Sequence, residues 1–128
     1  FKQSEGDPHI KARIRQLRAA RMKKRMMAAV PKASVIITNP THYSVALSYE
    51  RGMSAPVCVA KGADNIALKI REIAREHDIP IVENVPLARA LYAAVEIDDE
   101  IPVEHYHAVA EIIGYVMGLK RGFAPRGA

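Results

Sequence analysis

The chain has 128 residues and carries 19 basic and 14 acidic side chains, which gives a formal net charge of +5, and it contains a single cysteine. This length fits one small domain, and no apolar run approaches the roughly 20 residues that a membrane-spanning helix needs. One cysteine cannot form an internal disulfide, so the composition is typical of a reducing compartment.

The positive charge is concentrated in the first 30 residues. Nine Lys or Arg residues stand there with two acidic residues, a net of +7, whereas the remainder carries ten basic and twelve acidic residues, a net of −2. Asp7 followed by Pro8 is a typical helix start and predicts a helix that ends before Pro31. We therefore predict a basic linker helix within residues 1–30 and a globular domain over residues 31–128.

The predicted basic helix has a weak apolar stripe, formed by Ile10, Ile14 and Leu17, which breaks at Arg21. Basic side chains near a membrane are attracted to anionic lipid, so contact with a lipid surface is one interpretation. A solvated linker helix is an equally simple one. Nucleic acid is not expected as a partner, because no aromatic residues alternate with the charges after Phe1.

Beyond Pro31 the pattern changes to short strands and helices. Short apolar or alternating runs predict four strands, at about 34–38, 43–49, 56–60 and 80–83. Apolar residues at helical spacing predict three further helices, which open at Asp64 as an N-cap, at Asn84 with Pro86, and at Pro102. This order predicts an α/β fold in which a small mixed four-stranded sheet is covered by helices and preceded by the basic linker helix.

The run Asn39-Pro40-Thr41-His42 lies between the first two predicted strands. Pro40 has no backbone N–H, so the usual deamidation route, attack by the following backbone nitrogen, is closed to Asn39. The Asn39 side-chain nitrogen can instead attack its own main-chain carbonyl carbon, close a succinimide and expel Pro40 as a new amino terminus. The run therefore indicates a place where the chain cuts itself between residues 39 and 40.

An amide nitrogen is a poor nucleophile, so this cut requires orientation and help with proton transfer. A turn made rigid by Pro40 holds Asn39 near the carbonyl, and Thr41 is expected to orient the turn through its hydroxyl. His42 is the candidate to move a proton or to hydrogen-bond the developing oxyanion, because histidine titrates near neutral pH. The alternative is a plain turn between two strands, for which Asn-Pro is a common dipeptide.

Metal-ligand residue types also occur together at residues 98–100, His105 and His107. Two histidines at i and i+2 on a helix point to different faces, which disfavours a shared metal. We therefore predict no metal site and no cofactor, and we expect no catalysis on an external substrate.

Longer stretches of the sequence resemble a known family. Residues 30–47 contain the Asn-Pro-Thr-His run, and Met53-Ser-Ala-Pro56, Val59-Ala-Lys-Gly62 and a block over residues 80–92 follow. Together they closely resemble the cytoplasmic C-terminal domains of the FlhB/YscU family of type III export switch proteins. Residues 53–62 favour the flagellar branch of that family.

The resemblance implies a self-cleaving domain on the cytoplasmic face of a bacterial inner membrane, preceded in the family by a transmembrane domain. It implies that the cut allows export to change from rod and hook proteins to filament proteins, while the two pieces stay associated. The residues to which it assigns cleavage are Asn39, Pro40, Thr41 and His42. It places a substrate-docking patch at Ala55, Pro56, Ala110 and Ile113.

The partners implied by the resemblance are the export-gate subunit FlhA, the hook-length control protein, and rod and hook export substrates. A homologue from a virulence injectisome, with the same self-cleavage, is the nearest alternative. A peptide-binding or lipid-associated α/β module, in which Asn39-Pro40 is an inert turn, is a more distant one. For Ala110 and Ile113, ordinary core packing is an equal expectation.

Overall fold

The structure is a computed structural model that describes residues 6–40 and 42–120. Its elements are α1 (Pro8–Ala29), a 3-10 turn (Val30–Lys32), β1 (Val35–Asn39), β2 (Tyr43–Ser48), β3 (Val57–Ala63), α2 (Asp64–Glu76), β4 (Ile81–Glu83), α3 (Val85–Ala94), a second 3-10 turn (Val103–His105) and α4 (Tyr106–Lys120). The predicted α/β fold is confirmed, with every predicted strand and helix present. Among the helices described, none has the length and apolar character needed to cross a membrane.

The four strands form one mixed sheet in the order β3-β2-β1-β4. β1 pairs antiparallel with β2 and parallel with β4, so it is an inner strand. All five of its residues are buried. A strand that is covered on both faces has consecutive apolar residues instead of alternating apolar and polar ones. This explains why residues 35–37 are all apolar.

Side chains of β1 enter two separate hydrophobic cores. Val35 and Ile37 face α3 and α4, where Leu91 is fully buried. Ile36 faces the opposite side and packs in one cluster with Ile70 of α2 and with the end of α1. The fold therefore has three layers, with the sheet between two layers of helices.

Most of α1 is exposed, and only its end joins the body of the fold. Asp7 caps the helix as predicted, since its side chain accepts the His9 backbone N–H at 2.8 Å. Met26 is buried near the other end. There the Arg25 guanidinium also pairs with Asp98 at 2.5 Å. Both partners of that pair are largely exposed, so it adds little stability.

The predicted N-cap at Asp64 is wrong. Ala63 occupies the cap position without a side-chain hydrogen bond, and Asp64 is the first helical residue, with a φ of 51°. Aspartate adopts this left-handed conformation more readily than most residues. The conformation turns the chain directly from β3 into α2, and it aims the Asp64 N–H at the carbonyl oxygen of His42, 2.9 Å away.

β3 and α2 approach each other closely at Gly62. A Cβ placed at this position overlaps the Ile66 side chain, including its own Cβ. We expect Gly62→Ala to lower the free energy of unfolding by about 1–3 kcal/mol, the usual cost of overpacking a core, as measured by urea denaturation.

Gly114→Ala is the matched control, because a Cβ at Gly114 has no atom within 4 Å. Within α4 this substitution should leave stability unchanged or raise it by up to about 1 kcal/mol, since alanine is the better helix former. Equal effects of the two substitutions would contradict the close approach at Gly62.

Candidate functional site

The turn between β1 and β2 contains the bond that the sequence predicts to be cut. Asn39 ends β1 opposite Tyr43 of β2. The His42 backbone N–H donates to the Asn39 carbonyl oxygen at 2.9 Å and closes a four-residue turn around Pro40. Asn39 is only 7% exposed, whereas Pro40 is exposed. Thr41, predicted to orient this turn, lies outside the described residues.

The hydrogen bond to the Asn39 carbonyl bears directly on the predicted chemistry. Attack on the carbonyl carbon places negative charge on the carbonyl oxygen, and a backbone N–H already aimed at that oxygen stabilises the charge. The sequence suggested the His42 side chain for this contact, but in the structure the backbone of His42 makes it. The His42 ring is exposed and remains the candidate for proton transfer.

Both arms of the turn are held by the starts of neighbouring helices. On the β1 side, the Asn84 backbone N–H donates to the Thr38 carbonyl at 3.0 Å. Asn84 also caps α3, because its side chain accepts the Leu87 N–H at 3.1 Å. On the β2 side, the Asp64 N–H holds the His42 carbonyl. These contacts restrict the backbone on either side of the predicted cut, which favours an attack-ready geometry.

Arg89 of α3 lies beside the turn and was not predicted from the sequence. A cavity of about 350 Å³ is lined by Asn39, His42, Tyr43 and Arg89. Arg89 is exposed, and it takes part in none of the ion pairs found among the described residues. The parallel pairing of β1 with β4 brings the following helix, α3, next to the turn.

Tyr43, the first residue of β2, is fixed by stacking. Its ring lies on that of Tyr92, with centroids 4.4 Å apart and planes at 23°. Lys61 of β3 holds Tyr92 in turn, because its Nζ donates to the Tyr92 carbonyl at 3.0 Å and lies 5.1 Å from the ring centroid. The backbone that follows the turn is therefore attached to both α3 and β3.

The four residues of the predicted docking patch meet at one groove. Its volume is about 330 Å³, and it is lined by Tyr49, Ser54, Ala55, Pro56, Tyr106, Ala110, Ile113 and Gly114. Ala110 is exposed on α4, whereas Ile113 is 7% exposed and is part of the hydrophobic core. The two tyrosines of the groove were not predicted from the sequence.

Other reactive side chains lie apart from the turn. Burial raises the pKa of the Cys58 thiol from 9.0 to about 11, so this thiol is protonated and inert at neutral pH. In the acidic run, Asp98 pairs with Arg25, and Glu100 accepts a hydrogen bond from the Ser54 hydroxyl at 2.5 Å.

Comparison with known proteins points to one family. Residues 1–116 match the family model described as the FlhB HrpN YscU SpaS family. Over 122 residues, 94% of the chain, the sequence is 61% identical to the flagellar biosynthetic protein FlhB of Escherichia coli K12 and 57% identical to that of Bacillus subtilis 168. The matched region is 32% and 34% of those proteins, so the chain spans about a third of their length.

Solved structures show the same fold. The cytoplasmic domain of FlhB from Shewanella putrefaciens is 43% identical, with a TM-score of 0.75 over 83% of this chain and 84% of that one. A mutated EscU C-terminal domain is 33% identical, with a TM-score of 0.67 over 70% of this chain and 89% of that one. Both relatives therefore share the fold of this chain over the regions that match.

Proposed function

Because this chain belongs to the FlhB HrpN YscU SpaS family, as its sequence resemblance predicted, we propose that it is a regulatory part of a flagellar type III protein export gate and cuts its own backbone between Asn39 and Pro40. The observation that carries the proposal is the hydrogen bond from the His42 N–H to the Asn39 carbonyl oxygen. The names of the relatives favour the flagellar branch over an injectisome. We propose further that the chain acts in protein export at the cytoplasmic face of the inner membrane.

The proposed reaction is intramolecular and occurs once in each chain. The Asn39 side-chain nitrogen bonds to the Asn39 carbonyl carbon, and the His42 backbone N–H stabilises the charge that develops on the oxygen. The bond to Pro40 then breaks, and residue 39 is left as a succinimide that water opens. The His42 side chain carries the proton lost by the attacking amide to the leaving proline nitrogen. Thr41 keeps its predicted orienting role.

The proposed cut leaves both pieces in the fold. The upstream piece contributes β1, which is hydrogen-bonded along both edges. Val35, Ile36 and Ile37 are each fully buried, and burying such a side chain stabilises by about 1.5–3 kcal/mol. The change is therefore local, because the turn opens and a new charged amino terminus appears at Pro40. A partner that distinguishes these two states can read the cut as a switch.

Intact mass measured under denaturing conditions tests the cut. We expect the wild type to separate at the bond between residues 39 and 40, while Asn39→Ala stays at full mass because it lacks the nucleophile. His42→Ala should be cut roughly 10²-fold more slowly, the smaller effect typical of losing a general acid–base, since it keeps the backbone N–H.

His9→Ala is the matched control, because His9 is an exposed histidine on α1. It should be cut at the wild-type rate. A wild-type chain that remains at full mass after prolonged incubation at neutral pH would show that the turn is inert and would refute the proposal.

We assign the groove between the β2–β3 connection and α4 to docking of rod and hook export substrates. Its walls include the apolar side chains of Ala55, Pro56 and Ile113, and the small exposed Ala110 leaves the groove open. Such a groove suits a short apolar segment of a partner, with the tyrosine hydroxyl groups available for polar contacts. FlhA and the hook-length control protein are proposed as further partners on the strength of the resemblance alone.

Ala110→Phe should fill the groove and weaken the binding of a purified rod or hook substrate at least tenfold, or about 1.4 kcal/mol, in a titration calorimetry experiment. Ala94→Phe, at an exposed position of α3, is the control and should bind as the wild type does. Unchanged binding by Ala110→Phe, with a native unfolding curve, would exclude the groove as the docking site.

We also propose that α1 contacts anionic lipid. Its apolar residues Ile10, Ile14 and Leu17 are about 40% exposed, and basic side chains flank them along the helix. Each basic residue near an anionic surface contributes about 1 kcal/mol, and salt screens this attraction.

In co-sedimentation with phosphatidylglycerol vesicles, we expect binding that falls as salt rises. Replacing Arg13, Arg15 and Arg18 together by Gln should weaken it at least tenfold. Replacing the exposed Lys32, Lys69 and Arg75 by Gln removes the same charge elsewhere and should have little effect. Equal losses in the two triple variants would show a general charge effect and would contradict a role for α1.

A further inference from the structure

Arg71 of α2 is a buried cation directly behind the turn. It is 7% exposed, and its Nη1 donates to Ser44 Oγ at 3.2 Å and to Thr38 Oγ1 at 3.4 Å. None of the ion pairs in the described part of the chain includes it. Burial, and secondarily the like charge of Arg75, lower the pKa of the Arg71 guanidinium. Burying a cation that contacts only neutral groups costs free energy. We therefore asked what this arginine stabilises.

Arg71 stabilises the contact between the hydroxyl groups of Thr38 and Ser44. Thr38 Oγ1 donates to the Tyr43 carbonyl at 2.8 Å, and Ser44 Oγ donates to the Ala67 carbonyl at 3.1 Å. A hydroxyl group has a single hydrogen, so while both hydroxyl groups donate to these carbonyls no hydrogen lies between the two oxygens, which are 3.2 Å apart. The Arg71 guanidinium supplies the hydrogen atoms that this contact otherwise lacks.

The position of this network is tied to the predicted cut. Thr38 and Ser44 are partners across the β1–β2 ladder, one pair behind Asn39 and Tyr43. The cut would place Thr38 on the upstream piece and Arg71 with Ser44 on the downstream piece. The network therefore spans the cut without using the bond that is broken.

We propose that Arg71 is a positioning residue for self-cleavage, which clamps the ends of β1 and β2 behind the scissile bond. Before the cut the clamp keeps the Asn39 carbonyl aligned with the His42 N–H, and after the cut it keeps the two strand ends in register. The same helix holds the turn a second time, because the Asp64 N–H at its start binds the His42 carbonyl. This inference rests on the proposed self-cleavage.

Rates of cleavage test the clamp. Arg71→Met keeps the length of the side chain and removes its donors, and we expect it to be cut at least tenfold more slowly, which corresponds to about 1.4 kcal/mol in activation free energy. Arg71→Lys, which retains a charged donor, should recover part of the rate. Arg75→Met, at an exposed position of the same helix, should be cut at the wild-type rate.

A second variant separates positioning from stability. Replacing Thr38 by Val, Ser44 by Ala and Arg71 by Met together removes donors and acceptors at once, a change that is often nearly neutral for stability. We expect this triple variant to unfold at a urea concentration close to that of the wild type and still to be cut at least tenfold more slowly. Cleavage of the triple variant at the wild-type rate would overturn the proposal.

Hydrogen exchange in the Asn39→Ala background examines the clamp without any cleavage. Adding Arg71→Met should speed exchange of the His42 amide at least tenfold relative to adding Arg75→Met. If the wild type is cut but Arg71→Met is cut as fast as Arg75→Met, this inference fails and self-cleavage stands. If the wild type is not cut, self-cleavage fails, and the exchange rate decides the clamp alone: faster exchange supports it and unchanged exchange overturns it.

Discussion

β1 is hydrogen-bonded on both edges and buried on both faces, and the rest of the structure depends on this position. It joins antiparallel β2 to parallel β4, and its alternate side chains enter the two cores on either side of the sheet. The bond proposed to break comes directly after the last residue of this strand. The chain can be broken there because β1 is held by its hydrogen bonds and buried side chains, and not by the peptide bond to Pro40. Removing the strand itself would expose both cores.

Because of this position, the two residues of the bond proposed to break differ in exposure, and the difference suits the proposed reaction. Asn39 is the last residue of a buried strand, so the backbone that must be attacked is held still. Pro40, the leaving group, is exposed and has room to depart. Attack on a carbonyl by the adjacent side chain requires a fixed geometry, whereas departure requires space. The end of an inner strand offers both within one peptide unit.

Local sequence patterns predicted the strands and helices of this fold well. They did not predict the contacts between residues that are distant in the sequence. The buried run at 35–37 and the caps Asp7 and Asn84 are local signals. Asp64 was misread as a cap because its left-handed backbone follows from the junction of β3 with α2. Arg71 and Arg89 are charged residues on helices, and a local sequence pattern does not show which part of the fold such a residue lies beside. Their places at the turn follow from strand order, which no local pattern contains.

The turn and the proposed docking groove lie at opposite ends of β2. Tyr43 begins the strand, and Tyr49 follows its end and lines the groove, about 20 Å away for a six-residue strand. Ser34, which the proposed cut would leave on the upstream piece, exchanges two hydrogen bonds with the Tyr49 backbone, at 2.9 and 3.1 Å. The pairing of β1 with β2 is thus stabilised near both ends. A cut at the turn would change the groove only if β1 shifted. Because β1 is firmly held, we expect a partner to recognise the proposed cut at the turn itself, beside Arg89 and the amino terminus that the cut would create.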